Sequence, residues 1–145
     1  MKWSSLKRRF ESLLAEKLVG RLQIYATEYT RADIDIGRGW ITLDGMEVVS
    51  VVVPSIYDAQ MRFEVKDFNF GRAIGEYVNL PFDKIKESKD PIIQGLAFLD
   101  KRYGKRLLRD AKTQDLHNFS LILYKLRCKV EGIECEISNH SNPDV

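Results

Sequence analysis

Few residues of this chain belong to the types that bind metals or act as nucleophiles and general bases. The only histidines and cysteines are His117, His140, Cys128 and Cys135. The six residues between the cysteines do not match a redox or zinc motif. His117 follows Asp115 by two positions, and residues so spaced do not share a helix face. The sequence therefore predicts no catalytic residue, no metal site and no cofactor, and leaves open whether the cysteines pair.

Two glycine-containing runs are candidates for phosphate-binding loops. The run "GRAIG" lacks the Lys-Ser/Thr pair of a phosphate loop. The run "GRG", residues 37–39, is interpreted as a strand bend, because glycine within a strand often marks one. No G-x-S-x-G nucleophile elbow occurs in the sequence.

A basic segment stands out in "LAFLDKRYGKRLLRD". Its five basic residues within nine positions are Lys101, Arg102, Lys105, Arg106 and Arg109. If Gly104 does not break the helix, these side chains would lie on one face of it and the apolar residues on another. This pattern is typical of the solvated face of a half-buried helix. Contact with an acidic partner and nucleic-acid binding are the alternatives, and the segment lacks the aromatic platforms or recognised motif of a nucleic-acid site.

Acidic residues are concentrated elsewhere. Residues 28–47 carry five acidic and two basic residues, a local charge of −3, whereas residues 1–21 carry +4 and residues 101–112 carry +5. Polarised charge of this kind assists specific association between proteins. The candidate partner-binding residues are Asp33, Asp35, Asp44 and Glu47.

The elements that would position these residues follow from the hydrophobic period. Residues 1–20 predict an amphipathic helix that ends at Gly20, with Trp3 and Phe10 as core anchors. The period then changes, and strands are predicted at about 21–31, 36–43 and 46–53. Asp44-Gly45 between the last two is a strong hairpin signal. The prediction is an α+β fold, with an N-terminal helix on an antiparallel sheet of three or more strands.

The second half of the chain is predicted to be helical. A short helix ends before Pro81, another begins at Asp90 and Pro91, and a final helix occupies about 113–132. Gly104 is a possible end for the second of these helices. Residues 56–68 fit either a helix or a strand, with a helix preferred.

Size and composition suit a single domain. The chain has 145 residues and a net charge of +2. We assign residues 1–137 to the domain and residues 138–145 to a polar C-terminal tail. Apolar runs such as "VVSVVV" are far shorter than the ~20 residues that span a bilayer. Met1–Phe10 lacks the apolar stretch of a secretory signal, so a cytoplasmic location is expected.

Three motifs resemble those of a family of small bacterial proteins with no assigned biochemistry. They are the opening "MKWSSLK" (M-K-W-S-x-L-K), the hairpin "WITLDG" (W-I-T-x-D-G) and "LDKRYGKRLL" (L-D-x-R-x-G-K-R-x-L). The resemblance extends from Met1 to about Glu131, and Tyr103 stands where members often have Leu. It carries over no catalytic residue, because the family has none agreed.

Some proteins of this kind are similar to immunity proteins of toxin–immunity pairs. That resemblance implies a non-enzymatic cytosolic protein that binds a toxin and blocks it sterically, with no membrane partner. The alternatives are a nucleic-acid-binding accessory protein that uses residues 101–109, and a small enzyme with an unrecognised site. The overall basic charge argues against a basic nuclease as the toxin, unless the contact uses the acidic residues of 28–47.

Overall fold

A computed structural model describes residues 2–31, 34–52 and 70–134, and all of their side chains except those of residues 28–31, 34–37 and 52. The ambiguous segment 56–68, the tail 138–145 and Cys135 lie outside the described residues. Elements are numbered within the described ranges.

The first helix, α1, occupies Trp3–Glu11 and is shorter than predicted. A 3-10 turn follows at Glu16–Leu18. Between them the backbone pairs with a distant segment, since Ala15 N donates to Leu99 O at 2.8 Å and Lys101 N donates to Leu13 O at 2.7 Å. The prediction of one helix to Gly20 was wrong because this tertiary pairing replaces the helical hydrogen bonds. The apolar spacing continues past Glu11 because a 3-10 turn also repeats every three residues.

Three antiparallel strands follow, in the order β1-β2-β3. They are β1 Leu22–Arg31, β2 Ile34–Leu43 and β3 Met46–Val52. The β2–β3 turn has φ of 53° at Asp44 and 84° at Gly45, the left-handed values that a tight hairpin turn needs. A register shift between Ile41 and Thr42 marks a bulge. The predicted strands and turn are confirmed.

Five helices follow within residues 70–134. They are α2 Phe70–Asn79, α3 Phe82–Glu87, α4 Pro91–Ala97, α5 Lys105–Asp110 and α6 Asn118–Glu131. Asp90 caps α4 as predicted, because its carboxylate accepts from the backbone N–H groups of Ile92 and Ile93 at 2.8 and 3.3 Å. The final helix ends at Gly132, whose φ of 72° suits a left-handed cap.

The basic segment is not one helix. Helix α4 ends at Ala97 and α5 begins at Lys105, so residues 98–104 form a connection. The angular separation predicted for Lys101 to Arg109 therefore does not apply. Gly104 lies before α5 rather than after α4.

The helices and one sheet face share an apolar core, which confirms the α+β fold. Phe10, Ile24, Ile41, Ile74 and Leu123 are all buried within it. Phe10 is thus a core anchor as predicted, whereas Trp3 is only partly buried and packs against the core. Among the described residues, no helix is long and apolar enough to cross a membrane.

Two glycines of the core are set by close packing. A Cβ at Gly95 of α4 would lie 2.8 Å from the Phe119 ring of α6, so a larger residue there would push the two helices apart. A Cβ at Gly39 of β2 would overlap the Phe70 ring. The "GRG" run therefore makes room for an aromatic side chain.

Candidate binding surface

A buried carboxylate organises the connection between α4 and α5. The Asp100 side chain is fully buried. Its Oδ2 accepts a 2.6 Å hydrogen bond from the Tyr77 hydroxyl and a 2.7 Å bond from Arg102 Nη2. Its Oδ1 accepts from the Arg102 backbone N–H at 2.8 Å and from Arg102 Nε at 3.0 Å. Four donors therefore satisfy this carboxylate. Three of them belong to Arg102, so the Arg102 side chain stabilises the connection between α4 and α5.

These contacts change the acidity of the groups around Asp100. Hydrogen bonding to Asp100 raises the pKa of the Arg102 guanidinium. Burial, reinforced by the neighbouring Asp100 carboxylate, raises the pKa of the Tyr77 phenol far above its ordinary value. Tyr77 is therefore a hydrogen-bond donor over the whole neutral range and is held un-ionised.

A second buried ion pair fastens α6 to the same connection. The Arg127 side chain is 4% exposed. Its Nη1 donates to the carbonyl oxygens of Phe98 and Asp100 at 2.9 and 3.0 Å, and its Nε donates to Glu131 Oε2 at 2.8 Å. Residues 98–100 are thus held by hydrogen bonds from Arg127 of α6 and from Tyr77 of α2. Lys101, the next residue, extends from a rigid support.

Three parts of the chain surround the first groove. They are the segment 12–19, the connection between α4 and α5 with the first residue of α5, and helix α6. Its volume is about 640 Å³. The charged residues that line it are Glu16, Lys17, Lys101, Lys105, Arg127 and Glu131. Arg127 and Glu131 neutralise each other, and Lys17 Nζ lies 3.9 Å from Glu131 Oε1. The exposed charge of the first groove consists of three lysines against Glu16.

The second groove lies between the β2–β3 hairpin and the opposite side of α6. Its volume is about 720 Å³. Its apolar lining residues are Leu43, Val48, Ile122, Leu126 and Val130, and its charged ones are Arg21, Asp44, Lys125 and Lys129. Arg21 donates two hydrogen bonds to the Asp44 carboxylate, from Nε to Oδ1 at 3.0 Å and from Nη2 to Oδ2 at 2.8 Å. The second groove therefore has an apolar floor and a basic rim.

The two grooves lie on either side of helix α6 and are here called, together, the two-groove surface. The segment 17–21 and helix α6 contribute residues to both grooves, so the grooves are neighbours. Seven basic and three acidic residues line them, a net charge of +4 against +2 for the whole chain. The rest of the chain is accordingly slightly negative, so positive charge is concentrated here.

Each groove includes one exposed apolar side chain. Three large apolar side chains are exposed among the described residues, namely Val19, Met46 and Ile122. Val19 lines the first groove and Ile122 lines the second. Met46 pairs across the hairpin with Leu43, a lining residue of the second groove, and paired residues point to the same side of a sheet. Each groove therefore exposes an apolar side chain beside its lysines.

The five residues of the basic segment have different environments. Arg102 is bonded to Asp100, as described above, and its guanidinium also lies 5.0 Å from the Phe82 ring centroid. Lys101 and Lys105 line the first groove. Arg106 and Arg109 are exposed on α5. The segment therefore supplies two lysines to a groove instead of one continuous basic face.

Of the acidic candidates that the structure describes, Asp35 lies near one end of β2, and Asp44 and Glu47 lie near the other. Asp33 lies outside the described residues. Asp35 is the second residue of β2 and Asp44 follows the end of this strand, about 30 Å away for an extended chain. Asp44 pairs with Arg21 and Glu47 pairs with Arg38. Hydrogen bonding from Arg21 holds the pKa of Asp44 below its ordinary value, so the carboxylate stays charged but is already partnered.

Of the histidine and cysteine candidates, the structure describes His117 and Cys128. His117 caps α6 by accepting a 3.1 Å hydrogen bond at Nδ1 from the Phe119 backbone N–H. Cys128 is buried between α6 and its neighbours. Within the described ranges, no three His, Cys, Asp or Glu side chains are grouped as a metal site requires. His140 lies outside those ranges, and the absence of a metal site stays a prediction.

Sequence reasoning missed Asp100 and Arg127. Each resembles an ordinary surface charge in the sequence. The i, i+4 spacing of Arg127 and Glu131 was an available signal for their pairing, but nothing local indicated that both would be buried. The grooves were missed because they join segments far apart in the chain.

Fold and surface together define an α+β protein with an antiparallel sheet, a group of short helices and a basic, partly apolar surface. The chain belongs to the SF0329 protein family, whose model matches residues 2–67 and 54–128. Comparisons with curated proteins and with solved structures gave no significant match.

Proposed function

We propose that this chain is a non-enzymatic cytoplasmic protein that binds a protein partner, and that the partner is a toxin whose active site it covers. The observation that supports binding is the two-groove surface, where Val19 and Ile122 are exposed beside five exposed lysines. Keeping large apolar groups in water is unfavourable, so a surface that exposes them suits a partner that buries them.

The rigidity of the support also favours a binding role. The buried charges of Asp100 and Arg127 are engaged with neighbouring groups, and these hydrogen bonds hold the backbone that precedes Lys101. A preorganised surface loses little conformational entropy on association. The toxin identity of the partner rests on the resemblance to immunity proteins.

The alternative, a nucleic-acid-binding accessory protein, is favoured by one observation on the sheet. The rings of Tyr25 and Trp40 stack at a centroid distance of 5.2 Å. Lys7 lies over Tyr25 and Arg38 lies over Trp40. Aromatic rings flanked by cations are a feature of single-strand binding surfaces. Here the cations already occupy the ring faces, so protein binding is preferred.

The proposal is tested with the protein encoded beside this gene, if that neighbour is a toxin. The two purified full-length proteins should form a one-to-one complex at micromolar concentration, measured by calorimetry and size-exclusion chromatography. Binding should also inhibit the toxin activity. A folded pair that does not associate at that concentration would contradict the proposal.

A further inference from the structure

We infer that the two-groove surface binds one acidic segment of a protein partner, with carboxylate side chains at Lys101 and Lys105 and an apolar side chain beside Ile122. The inference rests on the proposed function, because it specifies the partner surface that such a protein would bind. It places the contact on basic residues rather than on the acidic hairpin residues.

Charge complementarity defines the first half of the ligand. Three lysines of the first groove are exposed against the single carboxylate of Glu16, because Arg127 and Glu131 neutralise each other in its floor. The second groove adds Lys125 and Lys129, one turn apart on α6, while Arg21 is paired with Asp44. Five lysines with so little compensating charge fit a segment rich in Asp or Glu.

Apolar area defines the second half of the ligand. The floor of the second groove is formed by aliphatic side chains, and Ile122 on its wall is 39% exposed. Val19, 60% exposed, lies at the edge of the first groove. An apolar side chain of the partner in the second groove would remove its aliphatic floor and Ile122 from water. Such anchors supply most of the affinity in protein interfaces.

The lining also distinguishes a protein from a nucleic acid. No aromatic side chain lines either groove in the part of the chain that the structure describes. Bases of a single strand would find no ring on which to stack there. The aliphatic floor of the second groove and the lysines of both grooves instead match a peptide that carries acidic and apolar side chains.

The experiment selects binders to the immobilised full-length chain from a displayed library of short random peptides. The enriched peptides should carry Asp or Glu together with at least one large apolar residue. The consensus peptide, made synthetically, should shift the amide resonances of residues 13–21, 101–105 and 122–131. Enriched peptides without acidic residues, no enrichment at all, or shifts confined to other residues would overturn the inference.

Paired variants locate the binding site. Lys101→Glu with Lys105→Glu should weaken the consensus peptide by about tenfold or more, and Ile122→Ser by about fivefold, because each removes one half of the recognition. The matched control is Lys89→Glu with Lys112→Glu, which makes the same change in net charge at exposed lysines outside both grooves. Equal weakening by the control would overturn the inference.

The same variants separate this inference from the proposed function. If the toxin complex forms but tolerates both groove variants, the inference fails and the proposed function stands. If the unaltered chain does not bind the toxin, the proposed function fails. Circular dichroism of each variant checks that the fold is retained.

Discussion

The Tyr77 hydroxyl donates a 2.6 Å hydrogen bond to the buried Asp100 carboxylate, which joins α2 to the connection between α4 and α5. This contact shapes the first groove, because Asp100 also fixes Arg102 and precedes Lys101.

Replacing Asp100 with Ala should destabilise the fold by about 2–3 kcal/mol. Removing one partner of a buried ion pair typically costs 3–5 kcal/mol, and the value is lower here because Arg102 is one-third exposed. Chemical denaturation measures the loss. The control Asp83→Ala removes an exposed carboxylate of α3 and should change the free energy of unfolding by less than about 0.5 kcal/mol. Equal effects of the two variants would show that Asp100 has no special structural role.

The free energy of unfolding at alkaline pH should depend on the protonation of Tyr77. Its folded pKa is raised, so above about pH 10 the folded chain keeps a proton that the unfolded chain releases. The stability that Tyr77 contributes is therefore complete below pH 10 and is lost as the pH rises. Tyr77→Phe should be less stable at neutral pH, and the gap should narrow by up to about 1.4 kcal/mol per pH unit above pH 10. Parallel stability curves for the two proteins would contradict this assignment.

Thr42→Val should stabilise the fold by about 1 kcal/mol. Among the described residues, Thr42 Oγ1 is a buried side-chain atom without a hydrogen-bond partner. Val has a similar shape and places a methyl group where the unsatisfied hydroxyl lies. The measurement is the denaturation midpoint, with Thr27→Val on the neighbouring strand β1 as the control. A loss of stability in Thr42→Val would mean that the hydroxyl has a partner.

Nucleic acid should bind weakly and without sequence preference. Filter binding at about 50 mM salt should show low affinity that disappears at about 150 mM, as expected for phosphate contacts from scattered lysines. Nanomolar binding at the higher salt, lost in Lys101→Glu with Lys105→Glu, would favour the nucleic-acid alternative. Arg102 is unsuitable for this test because its substitution would also disturb Asp100.

The parts of the fold that sequence reasoning predicted are those decided by neighbouring residues. Asp44-Gly45 specifies a hairpin because both positions adopt left-handed φ. Asp90-Pro91 specifies a helix start through a side-chain cap and a residue that needs no N–H. Phe10 was recognisable as core from its place on the apolar stripe of α1.

The parts that escaped prediction depend on contacts between distant segments. Helix α1 ends early because residues 13–15 pair with residues 99–101. The same pairing, with Asp100 and Arg127, keeps residues 98–104 out of a helix. The two-groove surface depends on these contacts between distant segments, so no local sequence pattern predicted it. The charge pattern of the sequence instead favoured the acidic residues of the hairpin region as the binding site.

Growth rescue tests the central claim, that the chain neutralises a toxin, most directly. Cells that express the neighbouring toxin alone should stop growing, and co-expression of this chain should restore growth. Lys101→Glu with Lys105→Glu should reduce the rescue, whereas Lys89→Glu with Lys112→Glu should not. Reversing the charges of Asp33, Asp35, Asp44 and Glu47 tests the competing surface in the same assay. Continued growth arrest despite abundant, folded, unaltered protein would contradict the account.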